Sequence, residues 1–202
     1  MVDDVCLIWG SSLNIARQKL LAERSGARRI PVRWCWPSAE GSKDSTYLIR
    51  DPQPCDMGTV TQQAALYTRE YGWNAEFEVL VAEVVAKYLR DYDPTCERCW
   101  IAEKDGKVIG SVFIVRQDEA TAKLRMLYVD ASARGLGIGS RLVEECLRFA
   151  RQIGYQKMTL WTTSNLTAAR KIYQQAGFEL VEEEAVHSFG KDLVSQTWAR
   201  AL

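Results

Sequence analysis

The apolar positions fall into two alternating rhythms. Phe77, Leu80, Val81, Val84, Val85, Tyr88 and Leu89 keep an i, i+3, i+4 spacing, which puts them on one face of a helix. Asp93-Pro94 closes that helix, because the residue before proline is pushed out of the helical region. Upstream, 56–71 reads as a helix stopped at Gly72, after a short strand at 47–50 ended by Asp51-Pro52. Downstream, strands at 100–103 and 108–115 flank Lys104-Asp105-Gly106-Lys107, and Asp-Gly signals a tight hairpin. A third strand covers 122–130. The helix at 137–153 should bury Ile138, Leu142, Cys146, Phe149 and Ile153, with Gly154 as its stop. A strand at 157–162, a helix at 165–176 and strands at 178–184 and 193–198 follow. The predicted order is β-α-α-β-β-β-α-β-α-β-β, an α/β pattern.

Between the third of these strands and its helix, Gly135, Gly137 and Gly139 occupy alternate positions. They strip side chains from a loop that opens a helix. Such a loop can aim consecutive backbone N–H groups at one object, and the helix N-terminus adds partial positive charge. The natural guest is a phosphate or pyrophosphate. A Walker loop is excluded, since no Lys follows the glycines. A dinucleotide loop fits poorly. Ser140 replaces its third glycine, residues 130–134 separate the turn from its strand, and the next strand ends in Thr163-Ser164 rather than an acidic residue.

Arg134-Gly135-Leu136-Gly137-Ile138-Gly139 fits a third design, Arg/Gln-x-x-Gly-x-Gly/Ala. It resembles the pyrophosphate loop of the GNAT superfamily of acyl-CoA-dependent N-acetyltransferases. Ile172-Tyr173-Gln174-Gln175-Ala176-Gly177-Phe178 is similar to the family's second signature, a helix tyrosine followed by Gly-Phe at a strand start. The resemblance runs from about Tyr47 to the C-terminus and implies a mixed sheet with helices on both faces. It also implies acetyl-CoA as acyl-donor co-substrate and a primary amine, on a small molecule or peptide, as acceptor. By the same resemblance, N–H groups from Arg134, Gly135, Leu136, Gly137, Ile138, Gly139 and Ser140 would hold the pyrophosphate, with Arg134 adding charge. The backbone of Leu127, Tyr128 and Val129 would run along the pantetheine arm, and an N–H near Leu127 would polarise the thioester. Tyr173 would protonate the departing thiolate.

Two positions depart from the family pattern. The asparagine seven residues before the tyrosine is replaced by Leu166, leaving Asn165 one residue off as a cofactor contact. The glutamate base of some relatives is replaced by Leu124. Acceptor-side candidates are Glu78, beside Trp73 and Glu76, and His187 in a loop between the last two strands. Glu76, Glu78 and the run Glu182-Glu183-Glu184 lean toward a cationic amine. The sequence is also similar to acetyltransferase halves that follow a MarR-type regulator, best at Glu70-Tyr71-Gly72-Trp73 and His187-Ser188-Phe189-Gly190. The alternative function is a non-catalytic acyl-CoA sensor or regulatory interaction module.

Composition narrows this little further. Lys plus Arg and Asp plus Glu each total 26, so no net field favours nucleic acid or an anionic membrane. No apolar run reaches the ~20 residues that span a bilayer. Met1-Val2-Asp3-Asp4 lacks the basic start of a signal peptide, so a cytoplasmic protein with reduced thiols is expected. Cys96-Glu97-Arg98-Cys99 lacks the further ligands a zinc site needs, and no metal is expected. Residues 1–45 form an extension and linker, with a candidate helix at 12–24 and an Arg/Trp-rich stretch around 28–36; the acetyltransferase-like domain is 46–202. A homodimer stays open.

Overall fold

The computed structural model describes residues 47–202. The expectations for 1–45, including the helix at 12–24, Cys6 and Cys35, lie outside the described residues. The elements are β1 (Leu48–Arg50), α1 (Asp56–Tyr71), α2 (Ala75–Asp91), β2 (Arg98–Lys104), β3 (Lys107–Arg116), β4 (Thr121–Val129), α3 (Ile138–Ile153), β5 (Lys157–Thr163), α4 (Thr167–Gln175), β6 (Glu179–Ser188) and β7 (Lys191–Ala201). They form one seven-stranded sheet in the order β1-β2-β3-β4-β5-β7-β6. Only β4 and β5 pair in parallel, and α3 supplies the crossover such a pair requires.

Strand alternation sorts the core onto two faces. Cys99, Ile101 and Phe113 meet Val60 of α1 and Val85 and Tyr88 of α2. Trp100, Ala102, Val112 and Ile114 face Leu142, Cys146 and Phe149 of α3, a cluster that includes Tyr173 of α4. Cys96 belongs to this second cluster and Cys99 to the first, so their thiols point to opposite sides of the sheet. Both are free and buried. Among the described residues no group of three His, Cys, Asp or Glu side chains could hold a metal, and no helix is long and apolar enough to cross a membrane.

The order of elements follows the sequence pattern; three details depart from it. Leu89 and Ile153 are exposed rather than buried, because each sits in the last turn of its helix. The final hairpin is longer than expected and turns at Phe189-Gly190, both at positive φ. His187 therefore lies inside β6, paired with Asp192 of β7, rather than in a loop.

Two features of β4 shape the site. Residues 121–124 pair with 157–160, and beyond that point β4 and β5 share no further pairing. On its other side β4 carries a bulge: Arg125 pairs with Phe113 and Tyr128 with Ser111, leaving Met126 and Leu127 opposite Val112. Met126 takes φ 55, a left-handed conformation that costs about 1–2 kcal/mol for a side-chain-bearing residue. The extra residue bends the strand where it parts from β5.

Arg50 ties the first strand to the rest. Its guanidinium reaches Glu103 at 2.6 Å and both carboxylate oxygens of Asp56 at 2.6 and 3.1 Å. Burial pushes the Asp56 carboxyl up, but hydrogen bonds from Arg50 and the Gln53 N–H outweigh it and hold Asp56 below its ordinary value. The stability this contributes is present above the usual carboxylate range and is lost as pH falls through the depressed value. Arg50→Ala should therefore cost about 3 kcal/mol at neutral pH, read by urea unfolding. The difference from the parent protein should shrink once Asp56 is protonated in both.

Candidate active site

β4 hands the chain to the glycine loop through a fixed turn. The Asp130 N–H donates to Ile109 O at 2.8 Å, extending the ladder. Its carboxylate accepts from the N–H and hydroxyl of Ser132 at 2.9 and 2.6 Å, capping a single 3-10 turn at Ala131–Ala133. Gly135 and Gly137 then take φ 84 and 74. Gly137 is the N-cap of α3, and no side chain caps that helix. The first intrahelical bond runs from Arg141 N to Gly137 O at 3.0 Å. The N–H groups of Ile138, Gly139 and Ser140 thus point out of a helix start with its partial positive charge. Buried Ile138 anchors this start in the core.

Gly139 has a different reason to be glycine. A Cβ there would come within 2.6 Å of Ile172 Cδ1 on α4, so its hydrogen lets α3 and α4 pack closely. Arg134 also departs from expectation. Its guanidinium makes a bidentate pair with Glu70 of α1, 2.7 Å on each arm. That pair anchors the loop to α1 and sets a carboxylate beside the charge expected for a phosphate.

Arg134 of the loop lines a cleft of about 420 Å³ in the gap between β4 and β5, and Gly135 to Ser140 lie outside its lining. Leu127 and Tyr128 line it, as does Tyr173 from α4. Val129 turns away, with a methyl 3.6 Å from where a Gly139 Cβ would stand. Leu166 lines the cleft and exposed Asn165 does not. Burial, reinforced by Tyr67 and Cys146, pushes the Tyr173 phenol above its ordinary range; burial does the same to Tyr67. Both stay protonated at neutral pH and can donate a proton.

The α1 and α2 side of the cleft is aromatic, which the sequence reading missed. Two turns meet there. Asn74 N donates to Phe189 O at 3.0 Å, Phe189 N donates to Glu76 Oε2 at 2.9 Å, and Lys191 Nζ donates to Tyr71 O at 2.9 Å. Around them Trp73, Phe77 and Phe189 pack with centroids 4.6–5.2 Å apart. Tyr67 and Tyr71 continue the group on α1, where their i, i+4 spacing was the available signal.

The two acceptor-side candidates fall outside. Glu78 is exposed and accepts from Thr68 Oγ1 at 3.3 Å. His187 is exposed and pairs with Asp192 at 2.7 Å. Neither lines the cleft, and Glu76 is engaged by Phe189. Exposed Glu182, Glu183 and Glu184 lie along β6. The charged groups that do line the cleft are Lys123, Arg125 and Arg134.

Comparison with known proteins agrees with this geometry. The acetyltransferase (GNAT) family model matches residues 61–178. The chain is 29% identical over 125 residues to N-acetyltransferase 8B of Homo sapiens, covering 59% of this chain and 55% of that one. It is 36% identical over 104 residues to N-acetylaspartate synthetase of Danio rerio, covering 51% and 36%. It is 28% identical over 187 residues to mycothiol acetyltransferase of Beutenbergia cavernae, covering 83% and 61%. The chain therefore spans less than two thirds of the length of these relatives. A Salmonella typhimurium protein solved with its cofactor acetyl-CoA shares the fold, with a TM-score of 0.63 at 20% identity over 78% of this chain and 95% of that one. The chain belongs to the acetyltransferase (GNAT) family.

Proposed function

We propose that this chain moves the acetyl group of acetyl-CoA to an amine by direct attack of the amine nitrogen on the thioester. The observation that carries the proposal is the cleft itself. It is a gap in the sheet beside the glycine loop, with a buried phenol and an aromatic group from α1, α2 and Phe189 along its walls.

Each part has a task. The N–H groups at the start of α3 receive the pyrophosphate, and Gly137 leaves its approach free of side-chain atoms. The β4 backbone, unpaired toward β5 beyond Leu124, lies along the pantetheine arm. An N–H near the bulged Leu127 polarises the thioester carbonyl as negative charge builds on its oxygen. The amine nitrogen forms the new C–N bond, the C–S bond breaks, and the Tyr173 hydroxyl gives its proton to the leaving sulfur. The nitrogen of the new amide sheds its proton to water, and water reprotonates the Tyr173 phenolate. No carboxylate or imidazole lines the cleft among the described residues, so the acceptor ammonium loses its proton to water before attack. The acceptor is a small-molecule or peptide amine, and the setting is cytoplasmic. Both stretches that carry the likeness to MarR-linked acetyltransferases border the aromatic group, which suits acceptor recognition.

Calorimetric titration with acetyl-CoA tests the binding half. Gly137→Asp should weaken affinity more than tenfold while lowering stability by about 1–2 kcal/mol, the cost of a side chain at this backbone conformation. A folded parent protein that binds no acetyl-CoA would overturn the proposal. Tyr173→Phe tests the chemistry: turnover should fall about 10²–10³-fold, within the usual range for a general acid, with acetyl-CoA affinity kept. A sensor would have no turnover to lose. With no enzymic base, kcat/KM should rise about tenfold per pH unit up to the pKa of the acceptor amine. A plateau reached near neutral pH would instead reveal a base supplied from outside the cleft.

A further inference from the structure

The cleft holds a pair of cations that the transfer mechanism does not use. Lys123 and Arg125 alternate on β4, and their register partners Val115 and Phe113 face α1 and α2. Paired residues of a ladder share a face, so both cations point into the space beneath those helices. Both are half-buried and line the cleft. Neither makes a hydrogen bond or ion pair among the described residues.

Other partly buried arginines among the described residues have partners. Arg50 holds Asp56 and Glu103, and Arg98 holds Asp51; the more exposed Arg134 holds Glu70. Arg170 donates to Ser164 O. Half-burying a charge without a partner is unfavourable. Burial first, and Arg125 second, push the Lys123 amine below its ordinary value, and burial does the same to Arg125. Two adjacent cations without an anion form a site that an anion would complete.

Position separates this site from the phosphate loop. Arg125 lies four residues before the end of β4, roughly 13 Å along the strand, and on the α1 and α2 face. Its neighbour across the gap is Trp161 of β5, held by Ser195 Oγ at 2.7 Å and set edge-on to Phe189. Phe77, Leu80, Val81 and Val84 of α2 line the cleft as an apolar wall.

We propose that Arg125 and Lys123 bind a carboxylate on the acceptor, so that the substrate is a free amino acid with an apolar or aromatic side group. The inference rests on the acetyl-transfer reading and deepens it. The carboxylate meets the two cations, and the apolar group lies against α2 and Trp161. The amine is left to face the thioester near Leu127. Two cations against one carboxylate leave net positive charge, which favours the neutral amine that attack requires. This replaces the lean toward a cationic acceptor: the glutamates behind it lie outside the cleft.

The test pairs each of a panel of L-amino acids, phenylalanine, leucine and tryptophan among them, with its carboxamide. Turnover is read as release of the CoA thiol, and acetyl-CoA binding is measured by calorimetry on the same preparations. Removing the carboxylate should lower kcat/KM by about tenfold to a hundredfold, as expected for charged hydrogen bonds. Arg125→Gln and Lys123→Met should each bring the acid-to-amide ratio toward one, with acetyl-CoA affinity unchanged. Equal or better turnover of the amides overturns the proposal, as does binding of acetyl-CoA with no turnover of any acid. Loss of acetyl-CoA affinity in Arg125→Gln also overturns it, because the cations would then serve the donor. A parent protein that binds no acetyl-CoA instead overturns the transfer reading on which the proposal stands.

Discussion

A sheet that opens is the constraint on which the rest of this structure depends. Pairing between β4 and β5 stops after Leu124 and Leu160, and both strands run on. Backbone N–H and C=O groups that face the gap beyond that point have no strand partner across it, and buried polar groups without partners are unfavourable. The fold meets this by leaving the gap accessible and by bending β4 with the bulge at Met126 and Leu127. The same unpaired backbone is what a linear, amide-rich guest would need. A fully zipped sheet would be more stable and would have no place to bind.

The glycine loop and the aromatic group are organised by different forces. At the loop the determinants are backbone conformation and helix polarity. At the aromatic group they are ring packing and three hydrogen bonds between turns distant in sequence. The Arg134–Glu70 pair joins the two, because α1 also carries Tyr67 and Tyr71. A displacement of α1 would therefore be felt at both.

Local signals in the sequence carried much of this. The glycine loop and the element order are short-range patterns, and the structure places them as read. Tyr173 lies in the cleft because Gly177-Phe178 fixes the end of its helix. What escaped needed partners distant in the chain. The splay of β4 from β5 depends on which strand lies beside which. Lys123 and Arg125 alternate with apolar Ala122 and Leu124 as any half-exposed strand does; only the roof formed by α1 and α2 makes them cleft residues. β6 was read too short because a strand exposed along nearly its whole length shows no apolar period. His187 and Glu78 were selected for chemical type, and type does not say which way a side chain faces.

The acidic run on β6 acquires a meaning from the sheet order. β6 is an outermost strand, and its outer side presents backbone groups that another molecule's strand could join. Glu179, Glu182, Glu183 and Glu184 place four carboxylates along it, all exposed. Two such strands brought side by side would set like charges against each other at strand spacing, which opposes edge-to-edge association. Among the described residues, carboxylates that resemble a lure for cationic substrates thus sit on a sheet edge, where like charge opposes pairing with another such strand.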